Sequence, residues 1–216
     1  ITRTVTVHPP TIAEIEPLGS LEDCSPMEVF FQNNSSGANL SYQWNIDGVN
    51  QGNGTDLGPI TFTEAPGNNP VTHTVQLVVN SSCGTQTTNA IIVVHRPTEA
   101  NLTIDPSEVC IGTPINFSQN SLGEDLTFEW DFGNGTTSTE SGPHQINYDE
   151  AGEYDVTFIA KGYCGNDTIH SVVTVNPFPI ADFEPNILSG CEVLELDFTN
   201  NSTNTANHSW NFGNGA

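Results

Sequence analysis

Five cysteines, six histidines and 26 carboxylates are the side chains of this 216-residue sequence that could do chemistry. Thiols can bond in pairs, bind zinc or act as nucleophiles. Cys24, Cys83, Cys110, Cys164 and Cys191 lie far apart in sequence with no Cys-x-x-Cys among them, which argues against zinc. No His-Glu-x-x-His, Gly-x-Ser-x-Gly or phosphate-binding loop occurs, and no serine sits at a nucleophile elbow. His8 and His95 fall at the edges of repeating units; His73, His144, His170 and His208 are scattered singly. The adjacent acids Glu22-Asp23 and Asp149-Glu150 lie in turn contexts, where a solvated loop explains them better than acid–base work. No catalytic residue is therefore expected.

The acids suggest one other chemistry. Glu16, Asp105 and Glu184 recur at the start of each repeat, with Glu14, Glu99 and Asp182 near them. With backbone carbonyls they could form a hard-oxygen calcium site. Repeated acids also guard exposed strand edges, so both readings stand.

The repeat is set by Trp44, Trp130 and Trp210. Cys24, Cys110 and Cys191 precede them by 20, 20 and 19 residues. Cys83 and Cys164 follow the first two by 39 and 34. Eleven residues after each of these the unit closes, at Val94 and Val175. This phase predicts a last strand of a preceding unit over 1–7, one module over 8–95, a second over 96–176, and the front half of a third over 177–216. The sequence reads as a section of a longer array.

Alternating patterns at Val75-Leu77-Val79, Tyr154-Val156-Phe158 and Leu194-Leu196-Phe198 predict half-buried strands, while 90–94 and 172–175 read as more fully buried. Turn clusters separate them, and no long amphipathic helix is evident. Seven or so short strands around one Trp per module predict an all-β fold of tandem immunoglobulin-like sandwiches, with Trp44, Trp130 and Trp210 in the cores. The alternative for the indoles is stacking on sugar.

The phase pairs Cys24 with Cys83 and Cys110 with Cys164, stapling each module, with the partner of Cys191 beyond residue 216; other pairings remain open. A bridge crossing from one module to the next would contradict this reading and the rod built on it. Disulfides place the chain outside the cell, at the surface or secreted.

Net charge is −23, from three cations against the acids. Nucleic acid is thereby excluded as a partner, because phosphate binding needs Lys and Arg. No apolar run is long enough for a membrane span.

The residues Trp130-Asp131-Phe132-Gly133-Asn134-Gly135, followed by Pro143, Tyr148, Gly152-x-Tyr154-x-Val156-x-Phe158 and a closing Val-Val-Thr-Val, resemble the PKD (polycystic kidney disease) domain family. The front half of the third module shares it through Trp210-Asn211-Phe212-Gly213-Asn214-Gly215; the first module is a looser copy, with His73 in place of Tyr154. Gly152-x-Tyr154 resembles a tyrosine corner. Tandem copies with cysteines are similar to those of large Bacteroidetes surface proteins, including gliding adhesins and type IX secretion cargo. The resemblance implies a stalk or adhesin repeat that spaces other regions. Its partners are neighbouring modules, and also surface polysaccharide or other cell-surface proteins. The alternative is a carbohydrate- or protein-binding accessory module of a secreted hydrolase. Asp167-Thr168-Ile169 resembles a Bacteroidetes O-glycosylation motif with Thr168 as acceptor. Asn-x-Ser/Thr triplets at Asn53, Asn80, Asn116 and Asn134 are expected from composition.

Overall fold

The computed structural model describes residues 2–63, 67–191 and 194–213. The first module contains β1 (Ile15–Leu18), β2 (Glu22–Cys24), β3 (Met27–Asn33), β4 (Ser41–Ile46), β5 (Val49–Gly52), β6 (Leu57–Phe62), β7 (Val71–Ser81) and β8 (Gly84–His95). The second contains β9 (Leu102–Asp105), β10 (Glu108–Cys110), β11 (Ile115–Gln119), β12 (Thr127–Asp131), β13 (Thr137–Ser138), β14 (His144–Ile146), β15 (Gly152–Gly162) and β16 (Gly165–Asn176). Then come β17 (Phe183–Pro185) and β18 (Phe198–Asn200). The described residues contain no helix.

The two complete sandwiches share one topology. A three-stranded sheet, β1-β3-β6 or β9-β11-β14, faces a five-stranded one, β2-β8-β7-β4-β5 or β10-β16-β15-β12-β13. Each second strand pairs parallel to the last: β2 on β8 and β10 on β16. The last two strands form a long hairpin closed by a two-residue turn, Ser82-Cys83 or Tyr163-Cys164.

Two separate hydrophobic clusters fill the sandwiches. One is centred on Phe31, Trp44, Leu77 and Ile92, the other on Phe117, Trp130, Phe132 and Phe158. Trp44 is 0% and Trp130 1% exposed. Their indole N–H groups donate to backbone, at 3.1 Å to the Gly54 carbonyl and 2.9 Å to that of Glu140. An indole with its ring in the core and its N–H satisfied cannot stack on a sugar. In the Gly-rich turn after Trp130, Gly133 has φ +77°, and a Cβ there would lie 2.6 Å from the Asp155 carbonyl oxygen. Only glycine fits that approach.

Tyr154 forms the expected corner: its hydroxyl donates to the Glu150 carbonyl at 2.8 Å. In the first module, His73 instead bonds Asp47 through Nδ1 at 2.7 Å. That bond, together with one from the Thr74 backbone and against the opposing effect of burial, holds the Asp47 carboxyl below its usual range. Tyr148 is buried and donates to the Phe132 carbonyl at 2.8 Å. Burial pushes its phenol up to about 12, with Tyr154 and Asp131 adding to the effect.

Several expectations need correcting. Ile91 and Val172 are exposed within strands read as fully buried, because β8 and β16 each turn one face to solvent. Residues 2–7 form no strand here, with Val5 and Val7 exposed, since a strand needs a neighbour for its backbone groups and the preceding module that 1–7 would join is not in this sequence. Ile1 lies outside the described residues. Leu194 and Leu196 are exposed and precede, rather than join, the short β18. Trp210 packs against Phe183, Phe198 and Phe212 and is 37% exposed in this half-module. Asn214 and Gly215 of the third motif lie outside the described residues.

Candidate functional site at the joint

The structure bonds Cys24 to Cys164, across the joint between the two sandwiches, with Cα atoms 5.7 Å apart. The pairings Cys24–Cys83 and Cys110–Cys164 are therefore wrong, and so is the picture of a staple within each module. Register gives the reason. Cys24 sits opposite His95, at the last residue of β8, while Cys83 lies in the turn just before its first residue, Gly84. Eleven strand steps separate those ends, about 36 Å at the usual rise. A disulfide spans at most about 7 Å between Cα atoms. Cys110, opposite Asn176, and Cys164, just before Gly165, are held apart on β16 in the same way. Each module thus carries its first cysteine at its trailing end and its second at its leading end. Cys83, Cys110 and Cys191 are free thiols, all exposed.

His95 is the centre of the joint. It is 6% exposed. Its Nε2 lies 2.9 Å from Glu22 Oε1 in the first module, and its Nδ1 2.8 Å from Glu124 Oε2 in the second. Tyr163 stacks on the ring at 4.1 Å between centroids. Two carboxylate acceptors on two ring nitrogens call for a proton on each, which is the imidazolium. Burial alone would lower the pKa of His95; the bonds to Glu124 and Glu22 outweigh it and raise the pKa above its ordinary value. Around this centre, the Gly123 N–H reaches Asn68 Oδ1 at 3.4 Å, and Arg96 bonds the Gly67 carbonyl and Glu99, each at 3.4 Å. The Ala100 N–H donates to Asp167 Oδ2 at 2.8 Å, tying the second module's first residues to its long hairpin.

The remaining candidate positions do not converge. Glu16, Asp105 and Glu184 are each exposed on the first strand of a different unit, β1, β9 and β17. Glu16 accepts from Asn34 Nδ2 at 2.6 Å. With Glu14, Glu99 and Asp182 counted, no group of three or more potential metal ligands forms among the described residues. Thr168 is exposed on β16, not in the turn after Cys164, and Asp167 of its motif is already engaged by Ala100 and by the Thr168 N–H. His144 packs edge-on against Trp130 and Phe132, and His170 bonds Thr157. Sequence reasoning placed His95 at a junction but missed its partners. The available signal was the pair of acids and the aromatic next to cysteines: Glu22 before Cys24, and Tyr163 before Cys164.

The two sandwiches are thus joined through a buried histidine and a disulfide. Residues 101–175 match the model of the PKD domain. The PKD match runs over the second sandwich from just before β9 to Val175, the penultimate residue of β16. A PKD-sized stretch of 70 residues is 40% identical to the Pre-pro-metalloprotease PrtV of Vibrio cholerae serotype O1 (strain M66-2), over 31% of this chain and 8% of that protein. The chain thus spans less than a tenth of that relative's length. Among solved structures, the PKD domain of human VPS10 domain-containing receptor SorCS2 aligns at 19% identity, TM-score 0.35, covering 38% of this chain and 77% of that one. The I-band fragment I67–I69 of titin aligns at 14% identity, TM-score 0.46, covering 89% and 76%.

Proposed function

We propose that this chain is an extracellular spacer: a run of PKD-like modules whose joints hold neighbouring modules at a fixed relation, so that other regions of a large surface or secreted protein are set apart at a defined distance. The observation that carries the reading is the covalent joint, Cys24–Cys164 closed around the bonded His95. A flexible tether would need neither bond. The disulfide fits an oxidising location. The excess of acid along the array opposes collapse and self-association. Surface adhesins of the gliding type are one setting for such an array. The boundaries 8–95, 96–176 and 177–216 are the module limits of this proposal.

The similarity to a metalloprotease over one PKD-sized stretch favours a second setting, in which the same modules flank a catalytic domain and present it to a substrate. Small-angle X-ray scattering of the oxidised full chain tests the spacer. Two end-to-end modules, each about 36 Å tall, should give an extended particle at least about 70 Å long, with no sign of two bodies moving independently. A compact or freely hinged particle counts against it. A glycan array separates the settings: specific binding by the chain would favour the accessory role.

A further inference from the structure

The bridge seen once is built from positions that every module repeats. At the trailing end of the first module, Cys24 lies opposite His95, the Ser25 N–H donates to the His95 carbonyl at 2.8 Å, and the Val93 N–H donates to the Leu21 carbonyl at 2.8 Å. At the trailing end of the second, Cys110 lies opposite Asn176, the Ile111 N–H donates to the Asn176 carbonyl at 3.0 Å, and the Thr174 N–H donates to the Ser107 carbonyl at 3.0 Å. Even the side-chain bond recurs: Glu22 accepts from His95 at 2.9 Å, and Glu108 accepts from Asn176 Nδ2 at 2.7 Å.

The leading ends match as well. Cys83 and Cys164 occupy the same position in the same two-residue hairpin turn. Beside them, a Cβ on Gly37 would meet Leu40 at 3.0 Å and Thr11 Cα at 3.3 Å; on Gly123 it would meet Leu126 at 3.0 Å and Thr98 Cα at 3.3 Å. Cys110 is thus a trailing-end thiol of the Cys24 kind, and Cys83 a leading-end thiol of the Cys164 kind. Both are exposed and unpaired.

We propose that Cys83 and Cys110 are the two halves of a repeating cross-joint disulfide, each completed by an adjoining module of the same kind. The first cysteine of any module bonds the second cysteine of the module that follows it. Cys110 takes the hairpin cysteine of a following module, and Cys83 takes the β2-type cysteine of a preceding one. A head-to-tail contact of this type repeats without closing, which gives a linear, stitched strand of modules. Chemically, the two thiols lose two protons and two electrons to a disulfide oxidant, such as oxidised glutathione. The new Sγ–Sγ bond forms as the oxidant's own S–S bond breaks to two thiols. The proposal rests on reading the chain as an array of like modules. A glycan found for the chain would favour the accessory setting over the stalk and leave this proposal untouched.

The test is a duplicated chain, residues 1–176 followed directly by 9–213. It sets the first copy's Asn176 against Pro9-Pro10, close to the natural Asn176-Pro177, and brings a first module in behind a second one. One version carries Cys83→Ser in the first copy and Cys110→Ser in the second and, like its control, Cys191→Ser, keeping only the two thiols that should meet at the new joint. A control carries the reverse pair of changes, keeping only the two thiols at the outer ends. Both are refolded in oxidised and reduced glutathione, then digested without reduction and mapped by mass spectrometry. The expected result is a Cys83–Cys110 cross-linked peptide in the first version, near stoichiometric and as abundant as Cys24–Cys164, and at least tenfold less in the control. Equal cross-linking in the two versions, or alkylatable Cys83 and Cys110 in a first version whose Cys24–Cys164 bridges are intact, overturns the proposal. The natural full-length protein, mapped in the same way, decides the matter if the duplicated chain misfolds. Cross-links from Cys83 and Cys110 to peptides of adjoining modules support the proposal. Free thiols there, or Cys83 bonded to Cys110 of the same chain, overturn it.

Discussion

The trailing ends of the two sandwiches share a backbone pairing and differ at the side chain opposite the cysteine. At the first, His95 reaches forward to Glu124 and Tyr163 of the next module as well as back to Glu22. At the second, Asn176 bonds Glu108 of its own module. The parallel pairing of β2 on β8 and of β10 on β16 sets the position of the cysteine in both. At the first joint that side chain, His95, is also the centre of a buried charge network. The thiol and the histidine can each be changed alone.

The largest effect should come from removing the thiol. The bridge joins residues 140 apart. For a loop of that length the chain-entropy relation gives up to about 5 kcal/mol, reached only if both modules unfold as one. Cys24→Ser should lower the midpoint of thermal unfolding and split one transition into two, read by calorimetry. A single unshifted transition would show that the joint adds nothing to stability.

Making the first trailing end like the second is the next test. His95→Asn removes the forward bond to Glu124, whose side chain is mostly buried, and the stacking on Tyr163. The expected loss is about 2 kcal/mol, measured by denaturant unfolding with the disulfide intact. The converse change, Asn176→His, should stay within about 0.5 kcal/mol, since among the described residues the side chain of Asn176 bonds Glu108 of its own module.

The two ends should also differ in pH response. The folded-state pKa of His95 is raised, so its contribution is fully present below the ordinary histidine pKa and is lost as pH rises through the higher folded value. Stability of the wild type should therefore fall from mildly acid toward alkaline pH more than that of His95→Asn. Parallel profiles would show that His95 is not charged in the joint. The smallest effect concerns metal: with Glu16, Asp105 and Glu184 apart, chelator should leave the unfolding midpoint unchanged.

Much of the fold was legible because it is local and periodic. Trp44 and Trp130, the alternation of Val75-Leu77-Val79, and the Gly152-x-Tyr154 corner each announce a buried or bonded side chain from their immediate neighbours. The bridge was not legible, because phase along a chain says which positions are equivalent and not which are close. Cys24 and Cys83 share a module, yet the parallel register of β2 sends them to opposite ends of one twelve-residue strand. The partners of His95 were hard to read for a related reason: Glu22 and Glu124 lie 73 and 29 residues away, and Glu124 comes within reach only when two sandwiches stack.

Peptide mapping of the full chain, digested without reduction after blocking free thiols, bears most directly on the central claim. A Cys24–Cys164 cross-link is the expected result. Cross-links of Cys24 to Cys83 and of Cys110 to Cys164 would contradict it, returning each staple to its own module and leaving the joint without a covalent lock.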